Sequence, residues 1–136
     1  MSTRHKQREL ALQALYQIEV GGFTPAEAVY DVRQRNSGEP IDFAAGLVEA
    51  VHRNRREIDQ AIEAAAKNWK LNRMAVIDRN ILRLGAAQLL HFGVEVPPKV
   101  AIDESIELGK KYGDGQSGKF INGILDQIYK GMAKDK

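Results

Sequence analysis

The chain contains no cysteine, which excludes disulfides, thiolate-held zinc, iron–sulfur centres and a cysteine nucleophile, and suits a reducing cytosol. Long apolar runs are missing too. The longest covers residues 43–48, against the roughly 18–20 needed to span a bilayer, so no membrane association is expected. The opening of the chain places Arg4, Lys6, Arg8, Glu9 and Glu19 within a helical pattern and lacks the charge-free apolar centre of a secretory signal. A cytoplasmic protein is expected. Nor does one sign of charge prevail: 20 Lys and Arg stand against 18 Asp and Glu in 136 residues, so any case for a polyanionic partner rests on where the charges sit.

What is present is helical rhythm. Over residues 4–20, Ala11, Ala14, Leu15 and Ile18 recur at i, i+3, i+4 and i+7, and Gly21-Gly22 ends the pattern. In Thr24-Pro25-Ala26-Glu27, Thr24 and Glu27 can cap one another reciprocally around a proline at the first helical position. That second helix should stop near Asn36, where turn formers cluster up to Pro40. A third begins near Asp42 and is read as one helix of about six turns, bent if anywhere, ending before Trp69. A fourth, capped by Asn72, has apolar residues on most of its circumference, with Gln88 in one apolar row, and is the expected central helix. Val94-Glu95-Val96 alternates briefly, but Pro97-Pro98 makes it a loop, and a fifth helix opens near Pro98. It should stop at Gly113 in a left-handed cap, with Ser117 capping a last helix striped by Ile121, Ile124, Leu125 and Ile128. The fold class is all-α, with six to seven helices.

Catalytic chemistry finds little support. Gly113 to Lys119 satisfies the first seven positions of the phosphate-binding G-x-x-x-x-G-K-[ST] loop, but Phe120 replaces the magnesium-ligating hydroxyl and a helix precedes it where a strand is required. What survives is a helix N-terminus beside Lys119, a place for one anionic group, weighed against a plain glycine-rich turn. His5, His52 and His91 show no metal-ligand spacing, Asp103, Glu104 and Glu107 read as a wet helix face, and no serine sits in a nucleophile elbow. A non-enzyme without metal or cofactor is the expectation.

The basic residues say more. Arg4-His5-Lys6-Gln7-Arg8 leads with three formal positive charges into a helix, an arrangement suited to an RNA backbone, whereas Arg53, Arg55 and Arg56 have Glu49 and Glu57 at helical distance to neutralise them. Tyr16, Tyr112 and Phe120 each lie near basic residues, as side chains that stack unpaired bases do, although each also fits a core-edge position.

Taken in order along the chain, several blocks resemble the NusB family of bacterial transcription antitermination factors. They are the basic arm running into Ala11-Leu12-Gln13-Ala14-Leu15-Tyr16, Ile77-Asp78-Arg79 with Ile81-Leu82-Arg83-Leu84, Val96-Pro97 with Val100-Ala101-Ile102, Lys111-Tyr112-Gly113, and Ser117-Gly118-Lys119-Phe120-Ile121-Asn122-Gly123. The resemblance implies one domain over residues 1–136 built from two packed helical bundles, about 3–66 and about 72–132. It implies a non-catalytic adaptor that binds boxA RNA of nascent ribosomal RNA together with NusE, a small-subunit ribosomal protein. With other Nus factors, the pair helps RNA polymerase resist termination. By the same resemblance the RNA face combines Arg4, His5, Lys6, Arg8 and Tyr16 with Tyr112, Gly113, Gln116, Ser117, Lys119 and Phe120, and Asp78 and Arg79 face NusE. Relatives carry a denser arginine run and commonly an acid where this chain has Gln116. Two other readings compete. In one, the chain serves an RNA-modifying enzyme, although 136 residues leave no room for a cofactor-binding α/β domain. In the other it is a protein-binding scaffold, a homodimer through its basic face.

Overall fold

The computed structural model describes residues 3–134, which form seven α-helices and one short 3-10 turn: α1 (Arg4–Gly21), α2 (Pro25–Arg35), α3 (Asp42–Arg53), α4 (Arg55–Ala66), the turn Leu71–Arg73, α5 (Val76–His91), α6 (Pro98–Tyr112) and α7 (Ser117–Lys134). None of these helices is long and apolar enough to cross a membrane. Helix α5 lies at the centre, against α1, α3, α4, α6 and α7, and every residue from Asn80 to Leu89 is buried. Helix α1 is enclosed by α2, α3 and α5, so its buried set extends beyond the apolar stripe to Gln7, Arg8 and Glu9.

Several starts and stops follow the local chemistry of the sequence. The Thr24 hydroxyl accepts from the Glu27 amide at 3.1 Å while the Glu27 carboxylate accepts from the Thr24 amide at 2.8 Å, the reciprocal cap that opens α2. Gly22 closes α1 in the left-handed region at φ 74°, where a side chain would be strained. Pro98 takes the first position of α6 after a loop in which Val96 is buried.

Three expectations are corrected. The six-turn helix is interrupted at Asn54, whose side-chain and backbone amides both donate to the Ala50 carbonyl, at 2.9 and 3.0 Å. The asparagine side chain thus competes with the backbone for a helix acceptor, and the pattern is divided into α3 and α4. Beyond the break, α4 packs on α5 and α7. Asn72 does not cap α5: it lies inside the 3-10 turn, and the entry to α5 is fixed by Arg79, which donates to the Met74 carbonyl at 2.8 Å. Gly113 is extended (φ −93°, ψ −163°) and not left-handed; glycine is needed there because a Cβ would stand 2.6 Å from that of Ser117.

Candidate nucleic-acid interface

The start of α1 and the end of α6 are pinned together by one buried carboxylate. Glu9 accepts from Lys111 Nζ at 2.6 Å and from the Tyr112 hydroxyl at 3.0 Å, with His5 Nε2 at 3.7 Å. Burial alone raises the Glu9 pKa, but the hydrogen bonds from Lys111 and Tyr112 and the neighbouring positive charge outweigh it and hold the group below the ordinary glutamate range. The same contact raises Lys111, and burial together with the Glu9 hydrogen bond raises Tyr112. His5 Nδ1 also meets Glu104 on α6 at 3.0 Å. His5 and Glu9 at the start of α1 are thereby joined to the end of α6, next to the turn that leads to α7.

Within that region the basic residues divide. Arg8 is only 3% exposed: its Nε donates to the Gln88 side-chain oxygen at 2.7 Å, and its guanidinium stands 3.5 Å from Glu104 and 5.3 Å from the Phe43 ring centroid. Burial lowers its pKa against the raising influence of Glu104. Arg8 is thus a strut of the α1, α5 and α6 junction, which corrects its placement on an RNA face. Gln7 is also buried, where it caps α3 by accepting from the Ala44 amide at 3.0 Å and donates to the Pro40 carbonyl. Its neutrality therefore thins no outward row of cations. Arg4 is exposed, with its guanidinium 3.9 Å from the Phe43 ring centroid, and Lys6 is half-buried.

The segment 112–120 walls three grooves. In the first, of about 450 Å³, Tyr16 and Tyr112 stand together with Leu12, Gln13 and Ile77. The second, of about 270 Å³, is lined by Trp69, Arg73, Gln116 and Phe120, the two rings meeting edge to face at 6.0 Å. Lys119 shares the third, of about 340 Å³, with Lys110 and Asn122. Lys119 and Phe120, adjacent in sequence, thus serve different grooves.

The turn itself is rigidly built. The Ser117 hydroxyl, 1% exposed as a residue, donates to Asp78 Oδ1 at 2.7 Å and accepts from the Asp114 amide at 2.9 Å, while Asp114 Oδ1 accepts from the Gln116 amide at 2.8 Å. Ser117 is therefore a buried hub at the first position of α7, the helix start at which the sequence places it as a cap. The expected place for an outside anion at this helix start is partly taken by the chain's own Asp114. Asp78, 9% exposed, spends its carboxylate on Ser117. Arg79 is held by Glu19, to which its Nε donates at 2.7 Å, and its pKa is raised chiefly by that hydrogen bond. Both side chains placed on a partner face are thus engaged inside the protein. Trp69, Lys110 and Lys111 belong to this surface and escaped sequence reasoning. The only signal for Trp69 is a lone indole outside any helical period, beside Lys70 and Arg73.

An all-helical scaffold with aromatic-edged, cation-bearing grooves around a fixed turn has the features of an RNA-binding adaptor. Among the described residues no cluster of three or more His, Cys, Asp or Glu could hold a metal. The chain belongs to the NusB family, whose sequence profile matches residues 5–130. It is 50% identical to the transcription antitermination protein NusB of Anaeromyxobacter dehalogenans over 96% of this chain and 93% of that one. Its fold is similar to T. maritima NusB (TM-score 0.86, 35% identity, covering 95% of this chain and 92% of that chain). It is also similar to a chain in a crystal structure of the antitermination factors NusB and NusE in complex with double-stranded RNA (TM-score 0.82, 32% identity, 96% and 99% covered). NusB proteins are non-catalytic RNA-binding adaptors of transcription antitermination, and that is the role of this chain.

Proposed function

We propose that the protein binds boxA RNA of nascent ribosomal RNA transcripts together with NusE in the cytoplasm, and that the pair joins other Nus factors on RNA polymerase to oppose termination. The observation that most supports this reading is the Glu9 clamp, which joins the start of α1 to Lys111 and Tyr112 at the end of α6. Arg4, His5 and Lys6 supply charge along the backbone of the RNA, Tyr16, Tyr112 and Phe120 supply flat faces for unpaired bases, and Gln116 and Lys119 flank them. The buried Arg8 and Ser117 position this surface from within, as Asp78 does, and Gly113 leaves room for the Ser117 side chain. A related chain crystallised with NusE and RNA supports the choice of partners.

The test separates charge from stacking. Lys119→Ala is expected to reduce the slope of log affinity against log salt by about 0.7, the share of one single-strand phosphate contact. Phe120→Ala should cost about 1–3 kcal/mol of boxA affinity with the slope kept. Equal behaviour of the two folded variants refutes the division of roles, and wild-type affinity in both refutes the site. Mass in solution with and without the boxA oligonucleotide distinguishes a monomer that opens its basic face from a homodimer that covers it.

A further inference from the structure

Arg73 lines the Trp69 and Phe120 groove and also a larger cleft of about 620 Å³ beside the ends of α1 and α4 and the start of α5. The floor of that cleft is electrically settled. Glu19 holds Arg79 and Arg83, the latter at 2.7 Å, and Asp59 holds Arg83 and Arg55, each at 2.9 Å. Glu63 accepts from the Leu71 amide at 3.0 Å and so fixes the 3-10 turn at the mouth. The two exposed cations on and beside that turn, Lys70 and Arg73, have no carboxylate within ion-pair distance among the described residues.

Beside them stands Trp69, 53% exposed. A tight backbone turn leads to it: Lys67 takes φ 52° and ψ −64°, and the Asn68 amide donates to the Ala66 carbonyl at 2.5 Å. This is a γ-turn, rare in a non-glycine residue and maintained only where surrounding structure holds it. The geometry thus sets an indole and two unneutralised cations in a row that continues the Phe120 groove. A nucleic acid strand uses both features, bases on the ring and phosphates on the cations, whereas an acidic protein segment uses only the second and meets Asp114 in the adjoining groove.

We propose that the RNA track extends past Phe120 over Trp69 onto Arg73 and Lys70, which bind the phosphates of nucleotides flanking the boxA element. The inference rests on the RNA-binding reading of the 112–120 turn. It is tested by fluorescence anisotropy on the full chain with a minimal boxA oligonucleotide and with the same RNA extended by about six single-stranded nucleotides at either end, within the usual reach of such sites. The wild-type protein is expected to bind one extended RNA about tenfold tighter than the minimal one, with a steeper salt slope, since two more phosphates are neutralised. Lys70→Glu alone, outside the Phe120 groove, should remove much of that gain and leave minimal boxA binding unchanged, adding Arg73→Glu should abolish the gain, and Trp69→Ala should reduce the gain with the slope kept. Should charge reversal unfold the chain, Arg73→Gln provides the milder version, expected to lose part of the gain.

No gain from either extension overturns the track, as does a gain that survives in the folded variants. Loss of affinity for an acidic protein partner with RNA binding untouched also overturns it. If instead neither RNA binds the wild-type protein, it is the underlying RNA reading that has failed.

Discussion

Ser117→Ala removes one hydroxyl from the hub on which the candidate interface turns. Two contacts go with it: the 2.7 Å donation to the Asp78 carboxylate and the 2.9 Å acceptance from the Asp114 amide. A hydrogen bond to a charged partner contributes about 1.5–3 kcal/mol, and a backbone amide left without its acceptor adds about 1 kcal/mol. With Ser117 1% and Asp78 9% exposed, water can replace little of this, so the loss should be about 3 kcal/mol. For a chain of this length that corresponds to a fall of roughly 10 °C in Tm.

Urea unfolding of the wild type, Ser117→Ala, Asp78→Ala and the double variant gives the pair energy directly, with a coupling of about 2 kcal/mol expected. Asp78→Asn, which keeps an acceptor in place, should lose less than Asp78→Ala. A loss below about 0.5 kcal/mol for Ser117→Ala, or no coupling, refutes the claim that this hydrogen bond fixes the turn. The functional consequence follows from position. Lys119 and Phe120 leave the same first turn of α7, so at temperatures where the variant is folded its boxA affinity should fall without either side chain being touched.

Arg8→Ala should destabilise the protein by about 3 kcal/mol, by leaving Gln88 and Glu104 without their cation, while the salt slope of RNA binding stays at its wild-type value; a flatter slope places Arg8 back on the RNA. Glu19, which burial raises but hydrogen bonds and charge from Arg79 and Arg83 lower further, has its carboxylate favoured in the folded state. Its stabilisation is full at neutral pH and is lost as pH falls through the acid range below the ordinary glutamate pKa, so Glu19→Gln should lower Tm at pH 7 and flatten the acid side of the Tm profile; an unchanged acid limb contradicts this. Gln116→Asp adds a carboxylate next to Asp114 and should weaken boxA binding most at low salt, and equal or tighter binding in a titration contradicts that.

How far the sequence reaches depends on the range of the physics involved. The Thr24 and Glu27 cap, the Pro98 start and the enclosed α5 were readable because each is decided within a few residues or by an apolar pattern wide enough to demand cover on all sides. The break at Asn54 was also local, but an asparagine that competes for helix acceptors looks the same as one that points to solvent until the packing of the next helix is known. Arg8 and Lys6 are indistinguishable in an arm of basic residues. Only the approach of α5 and α6, from 80 and 96 positions away, decides that Arg8 is enclosed and Lys6 is not. Glu9 and Lys111 are separated by 102 positions, so no window of sequence could have paired them.

These distant pairings explain how a chain with a net charge of only +2 can present a surface for a polyanion. Acids near the site are spent inward: Glu9 on Lys111 and Tyr112, Glu104 on His5 and Arg8, Asp78 on Ser117, Asp114 on the turn amide. The pairs with Lys111 and Arg8 neutralise carboxylates that would otherwise repel phosphate, and all of these contacts fix a backbone segment that carries an outward side chain. Arg4, Lys6 and Lys119 are left without a carboxylate partner among the described residues. On the proposed RNA-binding reading, the number of phosphates held is set by cations that the fold leaves unpaired, and a substitution at an inward pair should act on affinity through the shape of the turn and only secondarily through charge.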